Sequence, residues 1–264
     1  MSYKTLLVDT ADGVARITLN RPEKLNALSQ QLLEELHAAL KAAATDEGVR
    51  CVLLTGTGRG FSSGADLTDA MAQLKPGEKV DLGAALRQTY NPIVTLIREM
   101  EKPVVAALNG TAAGAGLNIA LACDVVIAAR SARLIQAFIK IGLVPDAGGT
   151  WFIPSLIGKA RATHWMMSGE PLSAETAADW GLIAEVVDDE ALPAAADALA
   201  AKMAAQPTLA LAGIKRLVDA GDTGTLAGQL ALEAEIQTTM GYSADAMEGI
   251  ASFIQKREPK FRGK

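Results

Sequence analysis

The chain has 264 residues, which is long enough to bury a substantial core without disulfides or bound metals. Its composition, 50% hydrophobic and 21% charged, is that of a globular protein and excludes disordered and fibrous classes. The formal net charge is −5 and no block of Lys or Arg is present, so neither nucleic acid nor an anionic membrane is the expected partner.

Cysteine and targeting signals indicate a cytoplasmic protein. Cys51 and Cys123 both lie in apolar runs, which predicts buried, reduced thiols rather than a disulfide. The N-terminal stretch offers no signal peptide, and no uncharged apolar run reaches the roughly 20 residues that a membrane span needs. With two isolated histidines and two isolated cysteines, the sequence offers no spacing typical of a metal site.

Strands and helices alternate along the first part of the chain. Val14 to Asn20 alternates apolar and polar residues and predicts a half-buried strand, and Ser29 is the expected N-cap of a helix that runs to Ala44. A buried strand is predicted from Arg50 to Thr55, and a surface loop from Met71 to Asp81. Further elements are expected as a helix lined by Leu86 to Met100, a strand over Val104–Leu108, helices over Gly158–Ser168 and Ser173–Trp180, and a strand over Leu182–Val187.

From Glu190 to the end the pattern is helical, with interruptions at Gln206-Pro207, Gly221 to Gly224 and Gly241 to Ser243. The order of elements therefore predicts an α/β core with a mostly parallel sheet, followed by a helical extension. We expect residues 1–190 to form the core and residues 191–264 to cover it or to pack on a neighbouring subunit.

Two glycine-rich turns are candidates for ligand binding. Gly64-Ala65 follows one strand, and Gly114-Ala115-Gly116 opens a helix after another. Small residues allow a ligand to approach the backbone, and a helix start presents N–H groups that have no partner within the helix. Two such N–H groups could stabilise developing negative charge on one oxygen. The alternative is that these are ordinary loop glycines. Neither turn fits a nucleotide site, because no Walker A motif is present and Ile119 stands where the dinucleotide fingerprint needs Gly or Ala.

Asp146 is the candidate acid or base. It lies in an apolar turn between Pro145 and Ala147, near Phe138 and Trp151 in sequence, where burial would raise its pKa and make it a better general base. The alternative is a turn aspartate that caps the backbone of Gly148 or Gly149.

Short motifs along nearly the whole chain resemble the enoyl-CoA hydratase/isomerase (crotonase) superfamily. The matching segments are Leu19-Asn20-Arg21-Pro22 with Leu25-Asn26-Ala27-Leu28, Phe61 to Leu67, Asn109-Gly110 through Cys123-Asp124, Gly142 to Thr150, Gly169 with Ser173-Ala174, Trp180-Gly181-Leu182, and Glu248-Gly249 with Phe253 and Lys256-Arg257. The resemblance implies a superhelix of ββα units with C-terminal helices that pack between subunits of a trimer or a dimer of trimers.

The resemblance also implies an acyl-CoA thioester as substrate, with no separate cofactor. Its carbonyl would lie between the backbone N–H groups of Ala65 and Ala115, and Asp146 falls where isomerase-type members carry their catalytic carboxylate. Ser63 and Lys24-Leu25 fall where the family holds the CoA adenine and phosphates, and Lys256 is expected to reach a neighbouring subunit's CoA. The other expected substrate-binding residues are Gly64, Asp66, Leu67, Gly114, Asn118 and Phe138.

Two departures from the family pattern bear on the reaction. Hydratases of this family place and deprotonate water with two glutamates, whose positions match Asn118 and Phe138 here, so hydration is not the expected reaction. Gly148-Gly149-Thr150-Trp151 and Trp180-Gly181-Leu182-Ile183 resemble the members that isomerise the ring epoxide of phenylacetyl-CoA. A hydratase or hydrolase on another acyl-CoA is the alternative enzyme, and a non-catalytic acyl-CoA-binding or RNA-binding member is the alternative from another class.

Overall fold

The computed structural model describes residues 3–72 and 81–264. In chain order the strands in these ranges are β1 Leu6–Ala11, β2 Val14–Leu19, β3 Cys51–Gly56, β4 Gly60–Ser62, β5 Val104–Leu108, β6 Thr111–Ala113, β7 Val125–Ala129, β8 Arg133–Ile135, β9 Leu172–Ser173 and β10 Glu185–Val187. The α-helices are α1 Gln30–Thr45, α2 Leu67–Ala72, α3 Leu82–Ala85, α4 Asn91–Glu99, α5 Gly114–Leu121, α6 Gly149–Ile157, α7 Lys159–Ser168, α8 Ala174–Asp179, α9 Leu192–Ala205, α10 Thr208–Gly221, α11 Leu226–Gly241 and α12 Ala244–Gln255.

Two sheets organise the core. The larger has six strands in the order β1-β2-β3-β5-β7-β10, and all neighbours are parallel except β1 and β2. The smaller has the order β4-β6-β8-β9, with an antiparallel pair only at β8 and β9. The strands come along the chain in the pairs β3-β4, β5-β6 and β7-β8. The first strand of each pair lies in the large sheet and the second in the small one, and a helix follows each pair. The chain is thus a series of ββα units, as the resemblance implies.

The large sheet is covered on both faces. Alternate residues of its central strands, such as Leu53, Val105 and Ile127, pack against Ala196 and Ala200 of α9. The intervening residues belong to the main core with α1 and α4. Burial on both faces explains why β3, β5 and β7 are continuous apolar runs rather than alternating ones.

Several predicted boundaries are confirmed, because local signals fix them. Ser29 caps α1 by accepting a hydrogen bond from Leu32 N–H, and Ser173 caps α8 in the same way with Thr176. All three predicted interruptions separate C-terminal helices. The two cysteines are free and buried.

Other predictions were wrong in extent. The strand predicted from Leu182 begins only at Glu185, and β1 and the whole small sheet were not predicted. Their strands are short, and they are held by pairing with distant segments rather than by a periodic sequence. Residues 71 and 72 of the predicted loop continue α2, whereas residues 73–80 lie outside the described residues.

The helices after residue 191 are of two kinds. α9 lies against the large sheet and completes its core. α10 to α12 expose large apolar side chains, including Leu226, Phe253 and Ile254, at 76%, 86% and 73% of their accessible surface. Among the described residues, no helix combines the length and apolar character that crossing a bilayer requires.

Candidate active site

Two segments that are about forty residues apart in sequence form one wall of the site. Ser63 N–H donates to Leu25 O at 2.9 Å, and Leu28 N–H donates to Gly64 O at 2.8 Å. Ser63 Oγ also donates to Lys24 O at 3.3 Å. The structure therefore brings together Lys24, Leu25 and Ser63, which the family resemblance implies as contacts of CoA.

Asn26 fixes this wall, although no role was predicted for it. The side chain is completely buried, and its Oδ1 accepts a hydrogen bond from Arg21 N–H at 2.8 Å. Its Nδ2 donates to Gly60 O at 2.8 Å and to Thr57 O at 3.0 Å. Leu25 and Asn26 both adopt positive φ, at 49° and 53°, a conformation that non-glycine residues adopt only when their surroundings hold them there.

The two glycine-rich turns lie side by side. A Cβ at Gly64, where φ is +90°, would lie 3.0 Å from Ala113 O and 3.7 Å from the Cα of Gly114. Likewise, a Cβ at Gly116 would lie 2.5 Å from the Cβ of Ser62. These contacts explain the glycines, because a side chain at any of these positions would separate the turns.

Each turn presents a backbone N–H group at this contact. The bridge between Leu28 and Ala65 uses the N–H groups of Leu28 and Asp66, which leaves the Ala65 N–H outside the ladder. Ala115 lies in the first turn of α5, where N–H groups have no partner within the helix, and Ala113 provides no side-chain cap. Both predicted donors are thus on neighbouring turns and free of secondary-structure bonds.

Asp146 lies in the turn that precedes α6. Burial raises the pKa of its carboxyl to about 6, and Oδ1 is buried without a hydrogen-bond partner in the described part of the chain. The Gly149 N–H is bound by the main-chain oxygen of Asp146 at 2.9 Å, so the carboxylate is not needed to cap that residue. The only backbone N–H described as bonding to the carboxylate is that of Asp146 itself, and not that of Gly148, so the turn-capping alternative does not account for this side chain.

The backbone after Asp146 is strained. Ala147 has φ of 46° and is buried, and Gly148 follows with φ of 81°. A left-handed conformation costs an alanine about 1 kcal/mol, so neighbouring contacts must hold the turn.

Asn118 supplies one of those contacts. Its Nδ2 donates to Asp146 O at 2.8 Å, and its Oδ1 accepts from Gln136 Nε2 at 2.7 Å. Asn118 and Gln136 are both completely buried. Asn118 was among the predicted substrate-binding residues, whereas Gln136 was missed; the available signal was a lone amide in the apolar run Leu134 to Phe138.

Phe138 and Tyr90 border the same region. The Phe138 ring is buried, and its Cζ would lie 3.7 Å from a Cβ at Gly114, so it contacts the turn that carries Ala115. Tyr90 ends a π-helical segment, Leu86–Tyr90, a local irregularity that is frequent at functional sites. Burial raises the pKa of the Tyr90 hydroxyl, and the charges of Asp146 and Asp66 raise it further. Tyr90 was expected only as an apolar helix position.

The remaining predicted residues have different surroundings. Asp66 forms an ion pair with Arg21 at 2.9 Å. Burial alone raises the pKa of Asp66, but hydrogen bonds from the Asp69 N–H and Arg21 outweigh that effect and lower it. Lys24 and Leu67 are exposed near the wall. Lys256 is exposed at the end of α12, and no described hydrogen bond or ion pair joins its side chain to the site.

These features define the chemistry that the site can support. A desolvated carboxyl with a raised pKa can exchange a proton near neutral pH. N–H groups that have no partner in the described part of the chain, on adjoining turns, can stabilise an oxyanion. Within residues 3–72 and 81–264, no group of three or more His, Cys, Asp or Glu side chains could hold a metal ion.

Comparisons with known proteins identify the family and the fold. The family described as Enoyl-CoA hydratase/isomerase matches residues 9–264. The chain belongs to this family. A putative enoyl-CoA hydratase/isomerase from Mycobacterium abscessus has the same fold, with a TM-score of 0.92 and 35% identity over 98% of this chain and 100% of that one. The fold is therefore the crotonase superhelix.

Two curated relatives are similar to this chain over nearly its full length. The 1,2-epoxyphenylacetyl-CoA isomerase of Escherichia coli is 46% identical over 98% of both proteins. A probable enoyl-CoA hydratase of Rhodobacter capsulatus is 47% identical over 100% of both. The comparisons thus establish an enzyme family of hydratases and isomerases, and two relatives of almost equal identity carry different reaction names.

Proposed function

We propose that this enzyme is an acyl-CoA isomerase that converts ring 1,2-epoxyphenylacetyl-CoA to oxepin-CoA and also acts on 3-enoyl-CoA. The proposal rests on one observation: Asp146 is a desolvated carboxyl, whereas Asn118 and Phe138 stand at the two positions where hydratases of the family carry glutamates. Asn118 and Phe138 cannot serve as acid or base. The similarity to the E. coli isomerase supports the choice of substrate.

The proposed reaction needs one base. Asp146 removes a proton from the carbon next to the thioester carbonyl, and the electron pair delocalises onto the carbonyl oxygen as an enolate. The N–H groups of Ala65 and Ala115 stabilise that oxygen. Protonated Asp146 then returns the proton two carbons away, so the double bond shifts and no atom is gained or lost. For the epoxide, ring opening to the oxepin is an electron reorganisation that precedes this 1,3-proton shift.

Surrounding residues support the proton shift. A pKa of about 6 keeps Asp146 mostly ionised at pH 7, yet leaves its conjugate acid strong enough to return the proton. Phe138 is buried against Gly114 and reduces the access of water to the turn that carries Ala115. Four residues are proposed to bind CoA: Lys24, Leu25, Ser63 and Leu67. Gly64, Asp66 and Gly114 shape the site around them.

A hydratase is the second candidate because the R. capsulatus relative carries that name. Hydration by this chain would have to proceed without the two glutamates. Isomerisation is therefore the better-supported reaction.

The decisive experiment follows product mass and isotope position with epoxyphenylacetyl-CoA and 3-enoyl-CoA. We expect isomeric products, transfer of deuterium from an α-deuterated substrate to the γ carbon, and no ¹⁸O from labelled water. Asp146→Asn should lower turnover by at least 10³-fold, and Asp197→Asn, a surface carboxylate paired with Arg16, should leave it unchanged. Full turnover by Asp146→Asn, or stoichiometric ¹⁸O in the product, would refute the assignment.

We further propose that the enzyme is a cytoplasmic homo-oligomer, a trimer or a dimer of trimers. Region 191–264 contributes the subunit contacts, and Lys256 reaches a neighbouring subunit's CoA. The exposed apolar side chains of α10 to α12 support this arrangement, because soluble monomers rarely leave so many uncovered. CoA enters as part of the substrate, and neither nucleic acid nor a membrane is a proposed partner.

A further inference from the structure

Two buried amides form a hydrogen-bonded chain that ends on the Asp146 main chain. Gln136 Nε2 donates to Asn118 Oδ1 at 2.7 Å, and Asn118 Nδ2 donates to Asp146 O at 2.8 Å. The chain joins the segment after β8 to α5 and then to the turn before α6. The segment after β8 and helix α5, which are separate in sequence, are thereby joined to the turn that carries the proposed base.

The hydrogen bonds between the two amides and the Asp146 carbonyl have a fixed direction. A carboxamide has one donor end and one acceptor end, so a donor at Asn118 Oδ1 requires Nδ2 to point the other way, toward Asp146 O. If Asn118 were turned over, its oxygen would lie against the Asp146 carbonyl and its NH₂ against the NH₂ of Gln136. The Asp146 carbonyl, which can only accept, sets the orientation of the Asn118 amide, and Gln136 Nε2 holds the opposite end of that amide in place.

Stability alone does not explain a glutamine at this position. Gln136 is completely buried, and its Oε1 has no hydrogen-bond partner in the described part of the chain. Burying an unpaired carbonyl oxygen is unfavourable, and an apolar side chain of the same length would avoid that cost. What this position gains from a glutamine is the Nε2 bond to Asn118, which leads on to the Asp146 main chain.

The Asp146 main chain is the part of the site that depends on such support. Its carbonyl accepts from Asn118 and from Gly149 N–H, and the next residue, Ala147, has φ of 46°. Loss of the Asn118 bond would let the Asp146–Ala147 peptide rotate toward an ordinary φ. Because that peptide carries the Asp146 Cα, its rotation would move the carboxylate away from its buried position.

The geometry points to Gln136 as a positioning residue, which acts through Asn118 to hold the Asp146 carboxylate where it can reach the substrate's α-proton. This inference rests on the proposed function of Asp146. Gln136 itself touches neither the carboxylate nor, in this assignment, the substrate.

The primary test is Gln136→Met, which keeps the length of the side chain and removes the donor. We expect kcat for isomerisation to fall roughly 10- to 100-fold with KM within twofold, because small displacements of a catalytic group act on the chemical step. Gln229→Met is the matched control, since Gln229 also has one Nε2 bond, to Leu217 O, and an unpaired buried Oε1, but lies on α11. Its kcat should equal that of the wild type.

A double-mutant cycle separates positioning from general destabilisation. Asn118→Leu removes the hydrogen bonds that connect Gln136 to Asp146. In that background, adding Gln136→Met should change kcat by less than twofold. A purely structural role would instead give the same factor in both backgrounds. Wild-type kcat in Gln136→Met, or equal factors in the two backgrounds, would overturn the inference.

A titration gives a readout that does not require isomerase activity. Difference infrared spectroscopy against Asp146→Asn reports the protonation of the Asp146 carboxyl. In Gln136→Met the carboxyl should be better solvated and should titrate at lower pH than in the wild type. Tyr90 and Asp66 do not interfere between pH 5 and 8, because the pKa of Tyr90 is raised and that of Asp66 is lowered.

The two hypotheses can fail separately. If Gln136→Met moves the titration but the wild type does not isomerise either substrate, the positioning role stands and the proposed function fails. If the wild type isomerises both substrates but the titration does not move, the positioning role is wrong.

Discussion

Gly149 lies directly against the side-chain amide of Asn118: a Cβ at residue 149 would lie 2.6 Å from Cγ and 2.7 Å from Oδ1. Both groups are buried, and Asn118 is hydrogen-bonded at both ends. Residue 149 must therefore be a glycine because α5 and α6 are in close contact there, and not because of its backbone φ.

This contact predicts the effect of Gly149→Ala. The new methyl group must displace the Asn118 amide and break its bond to Asp146, so we expect kcat to fall more than tenfold and the free energy of unfolding to fall by about 1–3 kcal/mol. Steady-state kinetics and urea denaturation measure the two effects. Gly241→Ala is the control, because a Cβ at the end of α11 would meet no atom within 4 Å. Equal kinetics for the two variants would contradict the prediction.

The raised pKa of Asp146 predicts an acid limb in the rate profile. The carboxyl must be ionised to accept a proton, and burial raises its pKa to about 6 in the free enzyme. We therefore expect kcat/KM for isomerisation to fall tenfold per pH unit below about pH 6. Asp66→Asn should leave the position of this limb unchanged, and a limb near pH 4 would show that Asp146 is solvated.

The same shift predicts how Asp146 affects stability. Its carboxyl binds a proton more tightly in the folded state, so its contribution is fully present below pH 3.8 and is lost as the pH rises through about 6. We therefore compare the change in the free energy of unfolding that Asp146→Asn causes at pH 7 with the change that it causes at pH 4. The change at pH 7 should be more stabilising by roughly 1–2 kcal/mol, a figure that allows for the partial exposure of the carboxyl. Chemical denaturation at the two pH values measures the difference, and no difference would mean that the carboxyl is not desolvated.

Gly64→Ala should separate the two turns that carry the proposed oxyanion donors. Gly64 has φ of +90°, and a Cβ there would lie 3.0 Å from Ala113 O, so alanine strains the backbone and opens the contact. If Ala65 and Ala115 N–H stabilise the enolate, kcat should fall about 10²–10³-fold, as when one oxyanion donor is removed. The control is the CoA dissociation constant, which should change much less than kcat. A fall confined to CoA affinity would assign Gly64 to binding alone.

Asn26→Leu should destabilise the wall formed by residues 21–28 and 60–66. It removes the Nδ2 donor to Gly60 O and Thr57 O and the Oδ1 acceptor of Arg21 N–H, all at a completely buried side chain. Among the described hydrogen bonds, only Gly60 O keeps another donor, Asn109 Nδ2 at 3.3 Å. We expect a loss of roughly 3 kcal/mol in the free energy of unfolding, which guanidinium denaturation will measure. The exposed amide of Gln30 serves as the control, since Gln30→Ala should cost less than 1 kcal/mol.

Local sequence signals predicted much of the fold. Serine caps, glycine and proline interruptions and apolar periodicity act within a few residues, so Ser29, Ser173 and the breaks between the C-terminal helices could be recognised directly. The short strands β4, β6, β8 and β9 could not, because two or three residues carry no usable period and only pairing with distant segments makes them strands.

For the site, the sequence by itself determined which chemistry-bearing residues are present: the glycine turns, Asp146, Asn118 and Phe138. Only the tertiary structure decided how they are held. Gln136 and Tyr90, and the Nδ2 bonds of Asn26, act across 18 or more residues of chain. A hydrogen bond or an electrostatic interaction between such distant residues leaves no local pattern. The Asp146 turn shows the same division, because either a carboxylate or a carbonyl can bind a turn N–H, and three-dimensional contacts assign that bond to the carbonyl.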